Sequence, residues 1–103
     1  GDMVDRGAFA RDLYALFAEL RRQAAADGGR VVNLMGNHDL MNLEGDLRYV
    51  SREDEADFGG RAARREAFAP AGWLGQQLLE FPAAAVAGET LFVHAGLLPE
   101  HVE

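Results

Sequence analysis

Asp2, Asn37 and His94 stand in three short stretches, "GDMVDRG", "GNHD" and "FVHAG", that share one design. Each sets a metal-type donor at the end of a strand or in a loop, with small residues beside it. Carboxylate and amide oxygens combined with imidazole nitrogens suit Mn, Fe, Zn or Mg, and not copper(I) or an iron–sulfur cluster. The neighbouring glycines let the backbone approach a crowded centre. Taken singly, each stretch has a plainer reading. Asp2 and Asp5 would cap a helix beginning near Ala8. Asn37-His38 would be a turn, His94 a satisfied core histidine and Arg6 a surface cation. Together, in this order and each at an element boundary, they argue for a shared site.

The elements that must position them follow from periodicity. Phe9, Leu13, Leu16, Phe17, Leu20 and Ala24 recur at three- and four-residue steps, which predicts an amphipathic helix. Arg21 and Arg22 suit the negative end of its dipole, and Gly28-Gly29 supplies the stop. "RVVNLM" (30–35) reads as a short buried strand running into Gly36. "GNHDLMNLEGD" reads as loop or a short helical turn. Ser51 with Asp54 predicts the cap of a short helix, separated by Gly59-Gly60 from "RAARREAF". "AGWLGQQLLEF" is a further helix. "AAAVA" and "TLFVH" are two strands joined by a tight Gly88-Glu89 turn. His94 then ends a strand and Asn37 and His38 follow one, the place where α/β folds gather their sites.

A chain of 103 residues is at most one domain. Its 49% hydrophobic and 26% charged residues are those of an ordinary globular protein. No apolar run approaches the roughly 20 residues of a membrane span, so no membrane partner is expected. Without cysteine, disulfides and thiolate metal sites are excluded. The net charge of −7 disfavours nucleic acid as a partner. It would repel a phosphorylated substrate too, unless bound divalent cations reverse the local field.

"GDMVDRG", "GNHD" and "HAGL" resemble the "GDxVDRG", "GNHE" and "HGGL" motifs of the calcineurin-like metallophosphatases, in particular the phosphoprotein phosphatase group. The longer run "GNHDLMNLEGDLRYV", with "AFAPAGWLG" and "LFVHAGLLPEHV", is most similar to the Shewanella-like protein phosphatases, and the similarity covers nearly the whole chain. The resemblance implies an α/β fold, a partial β-sandwich flanked by helices, and two divalent metal ions (Mn, Fe or Zn). It implies that Asp2 bridges both ions, that Asn37 and His94 are ligands of the second, and that His38 is the catalytic histidine. Asp5 would hydrogen-bond His38, and Arg6 would grip the substrate phosphate with a planar fork that lysine lacks. In such a site two cations about 3.5–4 Å apart activate water and clamp the phosphoryl group. His38 in its protonated form, which a nearby carboxylate favours, would supply the leaving oxygen's proton.

The family's upstream "GDxHG" motif has no counterpart in the chain, nor do its later histidine and arginine beyond "HAGL". His101 lies too near His94 to replace that ligand and suits a surface role. The sequence therefore reads as the central fragment, residues 1–103, of one metallophosphatase domain, inactive when isolated. Asp39 stands where the phosphoprotein phosphatases have glutamate, and Ala95 where they have glycine. Glu44, Asp46, Arg48 and Tyr49 either border the cleft or form a solvated loop with an Asp46–Arg48 contact. The expected activity of the parent is phosphomonoester hydrolysis on phosphorylated protein or peptide, inside the cell in cytoplasm or plastid. The alternatives are a nucleotide-polyphosphate hydrolase on the same scaffold and a non-catalytic fragment or binding module.

Overall fold

The computed structural model describes residues 1–102. Helix α1 spans Ala10–Ala26 and closes where the glycine pair predicts. Gly29 N donates to Ala24 O at 2.7 Å and Gly28 N to Ala25 O at 3.3 Å, a Schellman ending. The face it buries is not the expected one. Ala10 and Tyr14 are buried, whereas Phe9, Leu16 and Leu20 are exposed. The row through Ala10 and Tyr14 turns inward because the Tyr14 hydroxyl finds a buried acceptor in Asp39, 2.6 Å away. Nor do Asp2 and Asp5 cap the helix: its N-cap is Phe9, with no side-chain hydrogen bond there. Arg21 and Arg22 also fall outside the last turn, since the helix continues to Ala26. Arg21 instead reaches Asn33 and Gln77 and lies over the Phe81 ring, while Arg22 grips Glu19.

The segment 30–35 is not a strand. A strand exists through its ladder, and the described residues give this segment a single such link, Met35 N to Pro82 O at 2.8 Å. What reads as loop or turn is helix α2, Asn37–Leu43. Helix α3 (Arg52–Asp57) has the expected cap, with Ser51 Oγ accepting from Asp54 N at 3.2 Å. Helices α4 (Arg61–Phe68) and α5 (Trp73–Leu78) follow, then strands β1 (Ala84–Ala87) and β2 (Thr90–Val93). The strands pair antiparallel, Ala84 opposite Val93 and Ala87 opposite Thr90, about the predicted Gly88-Glu89 turn. Helices with a two-stranded sheet make the fold α/β, as expected. No helix of the described residues is long and apolar enough to cross a membrane.

The core lies among α1, α4 and α5. Tyr14, Phe68, Leu74 and Leu78 have no exposed surface, and Val4 from the first loop joins them. Each fully buried leucine contributes about 1.5–3 kcal/mol. The Tyr14 ring meets Phe68 edge-on at 5.7 Å and stacks on Phe81 at 6.3 Å. Helix α5 approaches the end of α4 so closely that a Cβ on Gly75 would sit 1.7 Å from Ala69 O, which excludes any other residue. The hairpin stays outside this core, with Val86, Leu91 and Phe92 at least half exposed or nearly so. It carries His94.

Burial, reinforced by the negative Asp39 carboxylate, pushes the Tyr14 hydroxyl far above its ordinary value. A pKa raised on folding contributes stability in full below about pH 10, where the unfolded tyrosine titrates, and loses it as pH rises further. Tyr14→Phe strips a buried acceptor of its donor and should cost about 1–3 kcal/mol at neutral pH. In urea unfolding of the whole protein, the gap between variant and wild type should narrow at pH 11. An equal gap at both pH values would refute this account.

Candidate active site

The loop 1–7 is the most strained part of the backbone. Asp2, Asp5 and Arg6 all take positive φ, at 57°, 73° and 58°. Left-handed residues other than glycine cost on the order of 1–3 kcal/mol each and persist where surrounding contacts hold them. Here Asp39 supplies those contacts. Asp39, at the start of α2, is fully buried. Its Oδ2 accepts from Asp2 N at 2.7 Å and from Gly36 N at 2.9 Å, while Oδ1 takes the Tyr14 hydroxyl. One carboxylate thus ties the first loop, the N-terminus of α2 and α1 together.

This tie brings the motifs to one place. Asp2 Oδ2 lies 3.0 Å from His94 Nε2, and Asp2 Oδ1 accepts from His38 N at 3.0 Å. Gly1 packs against the His94 ring and Gly36: a Cβ there would fall 2.7 Å from His94 Nδ1 and 2.8 Å from Gly36 Cα. A Cβ on Gly36 would fall 2.1 Å from Asp2 Oδ1. Asn37 opens α2 between Gly36 and His38, exposed. Among the described residues its side chain enters no hydrogen bond, so the structure brings Asp2 and His94 into contact, while Asn37 is placed only as the chain neighbour of His38, whose N–H Asp2 accepts.

A second carboxylate–imidazole pair sits deeper. His38 Nδ1 donates to Asp5 Oδ2 at 2.7 Å, with the side chains 12% and 2% exposed. This engages Nδ1 and leaves Nε2 outside that bond. Asn42 Nδ2 donates to Asp5 Oδ1 at 3.0 Å and to His38 O at 2.9 Å. Asn42 Oδ1 accepts from Arg64 Nη1 at 2.5 Å, and Arg64 Nε donates to Asp54 Oδ2 at 2.7 Å. Asn42, Asp54 and Arg64 are wholly buried.

Arg6 is exposed at the rim. Its backbone N donates to Tyr49 O at 3.0 Å and its guanidinium lies 5.0 Å from the Tyr49 ring centre. Among the described residues no carboxylate pairs with it. The same ring stands 5.2 Å from the His38 ring, so Tyr49 borders the site. Asp46 and Arg48 pair with each other at 2.8 Å, and Arg48 holds the Asp46 carboxyl below the usual range. Glu44, Ala95 and His101 are exposed, and His101 Nδ1 accepts from Leu98 N.

Among the described residues no three His, Asp or Glu side chains converge as a metal cluster. The chemistry of the Asp2–His94 pair nevertheless fits a divalent cation. A carboxylate oxygen faces an imidazole nitrogen, no arginine pairs with it among the described residues, and the Gly36 backbone leaves no room for a side chain over it. The pair supplies part of a coordination shell.

Sequence reasoning missed Tyr14, Asn42 and Arg64, and took Asp54 for a cap partner without its bond to Arg64. Asn42 carries a weak signal, being four residues from His38 on one helix face. Arg64 and Asp54 carry none, since their partners are set by packing.

The structure thus joins two histidine–carboxylate pairs on a strained loop of an α/β scaffold, with an exposed arginine at the rim. The chain belongs to the calcineurin-like phosphoesterase family, whose pattern matches residues 1–102. It is 40% identical over 105 residues to an uncharacterized protein of Schizosaccharomyces pombe, covering 97% of this chain and 32% of that protein. It is 30% identical over 146 residues to Shewanella-like protein phosphatase 2 of Arabidopsis thaliana, covering 100% of this chain and 37% of the relative. To Shewanella-like protein phosphatase 1 of Plasmodium berghei it is 33% identical over 100 residues, 94% of this chain and 28% of the relative. The chain therefore spans about a third of the length of these relatives. No solved structure matches it.

Proposed function

We propose that the whole protein hydrolyses phosphomonoesters on phosphorylated proteins or peptides with two divalent metal ions, Mn, Fe or Zn. Residues 1–103 would be the central fragment of its single catalytic domain. The observation that carries this reading is the buried His38–Asp5 pair, 2.7 Å apart, beside the Asp2–His94 pair on the same loop. The family and the names of the Shewanella-like relatives support the substrate class.

Asp2, Asn37 and His94 would hold metal. When bound, the cations would supply the charge and Lewis acidity that activate water and clamp phosphoryl oxygens. The remaining work falls to the chain's own residues. Arg6, without a carboxylate partner among the described residues and braced on Tyr49, would bind two phosphate oxygens through its fork. Asp5 orients His38 through Nδ1, so that Nε2 would give a proton to the leaving oxygen. Asp39 keeps Asp2 and Gly36 in register through its bonds to their N–H groups. By itself the segment would be inactive, because its ligands complete neither shell. An intracellular setting, cytoplasm or plastid, accompanies this reading.

The test is hydrolysis by the whole protein. Activity on a phosphopeptide should fall at least about 100-fold after chelation and return with Mn²⁺. Undiminished activity after metal removal, or a strong preference for dinucleoside polyphosphates over phosphopeptides, would overturn it.

A further inference from the structure

We infer that Arg64 and Asn42 are positioning residues for the His38–Asp5 pair, acting from α4 through α2 onto the catalytic loop. The inference rests on the phosphomonoesterase reading above. Its basis is a continuous run of hydrogen bonds in which each member fixes the next. Asp54 Oδ2 accepts from Arg64 Nε at 2.7 Å, and the guanidinium lies 4.4 Å from the Phe68 ring centre and 5.4 Å from that of Phe58. So held, Arg64 presents Nη1 to Asn42 Oδ1 at 2.5 Å.

A guanidinium only donates, so the Asn42 oxygen must face it and the amide NH2 must face the other way. That NH2 group meets Asp5 Oδ1 at 3.0 Å and His38 O at 2.9 Å. With Oδ1 anchored, Asp5 offers Oδ2 to His38 Nδ1 at 2.7 Å. The second Arg64 arm, Nη2, has no hydrogen-bond partner among the described residues and lies 3.9 Å from Asp5 Oδ1, placing a buried positive group at the same carboxylate.

Stability alone gives a poor account of this arrangement. Well-packed apolar residues in place of a buried ion pair are often neutral or stabilising. Asp54 Oδ1 and Arg64 Nη2 are both buried without a partner, so the network is not a fully satisfied structural clasp either. What the chain does achieve is a single orientation of Asp5, and therefore of the histidine ring that must meet the leaving oxygen.

The experiment uses the whole protein with its metals and a series of aryl phosphates whose leaving phenols differ in acidity. A general acid matters most for the poorest leaving group. Asn42→Ala removes the link, and Arg64→Lys keeps a cation for Asp54 but loses the second arm to Asn42. In each, kcat on phenyl phosphate should fall about 10–100-fold, since loss of an outer partner misplaces the group it orients. On p-nitrophenyl phosphate kcat should change less than about threefold and KM less than about twofold, because the good leaving group needs little proton transfer. Equal losses on both esters, or none on either, would overturn the inference and leave the hydrolase reading standing. The double variant Arg64→Met/Asp54→Leu, which leaves no bare buried charge, must show the same ester-dependent loss; a wild-type ratio there would also overturn it. If none of the three variants folds, Arg64 belongs to folding alone and the inference fails. A wild-type protein that hydrolyses neither ester would overturn the hydrolase reading itself, and the inference with it.

Discussion

His38→Asn in the whole protein should lower kcat on phenyl phosphate by about 10²–10⁴-fold, the usual share of a positioned general acid. Bound metal should stay unchanged, because His38 is proposed as a proton donor and not as a ligand. Asparagine is the informative replacement. Its amide can still donate toward Asp5 Oδ2, so the buried carboxylate is not orphaned and the loop keeps its shape. What disappears is the second ring nitrogen, the group that would reach the leaving oxygen. Metal content measured beside turnover separates the two roles. A rate within a few-fold of wild type would refute the assignment of His38. A parallel loss of metal would make it a ligand instead.

Arg64→Met should destabilise the whole protein by about 3–5 kcal/mol, the cost of leaving a buried partner charge alone. The stranded partner is Asp54, which has no exposed surface and loses the Arg64 Nε donor at Oδ2. Asn42 Oδ1 loses its donor as well. Set against a typical folding stability of about 5–15 kcal/mol, this is a large fraction. Removing both charges with Arg64→Met/Asp54→Leu should recover most of the loss, since the penalty belongs to the uncompensated ion and not to the missing attraction. Urea midpoints of the single and double variants decide the matter. A single variant costing under about 1 kcal/mol, or a double variant worse than the single, would contradict the buried-pair account.

The order of the three motifs, the helix after the first, the Ser51 cap and the hairpin bearing His94 were all legible in the sequence. Their signals are local: glycine stops, a serine three residues before the N–H that its hydroxyl accepts from, alternating apolar runs about a tight turn. Other local readings failed, two of them for reasons of packing. The run 30–35 looked like a strand because it is apolar and β-branched, yet ladder bonds come from a neighbour that composition cannot name. The inward row of α1 was misjudged because Phe9, Leu16 and Leu20 are as apolar as a core requires. Tyr14 won that position through one hydrogen bond to a residue 25 positions away.

By itself, the sequence determined which chemical groups the site contains, because residue type and immediate neighbours decide what a side chain can ligate, donate or accept. Only the tertiary structure decided how those groups are held. Asp39 reaches a backbone N–H 37 residues away, and Arg64 reaches Asn42 across 22 residues and Asp54 across 10. Such pairings are settled by burial, where an unmet donor or acceptor is costly and whichever partner the packing delivers must serve. No periodicity along the chain encodes them.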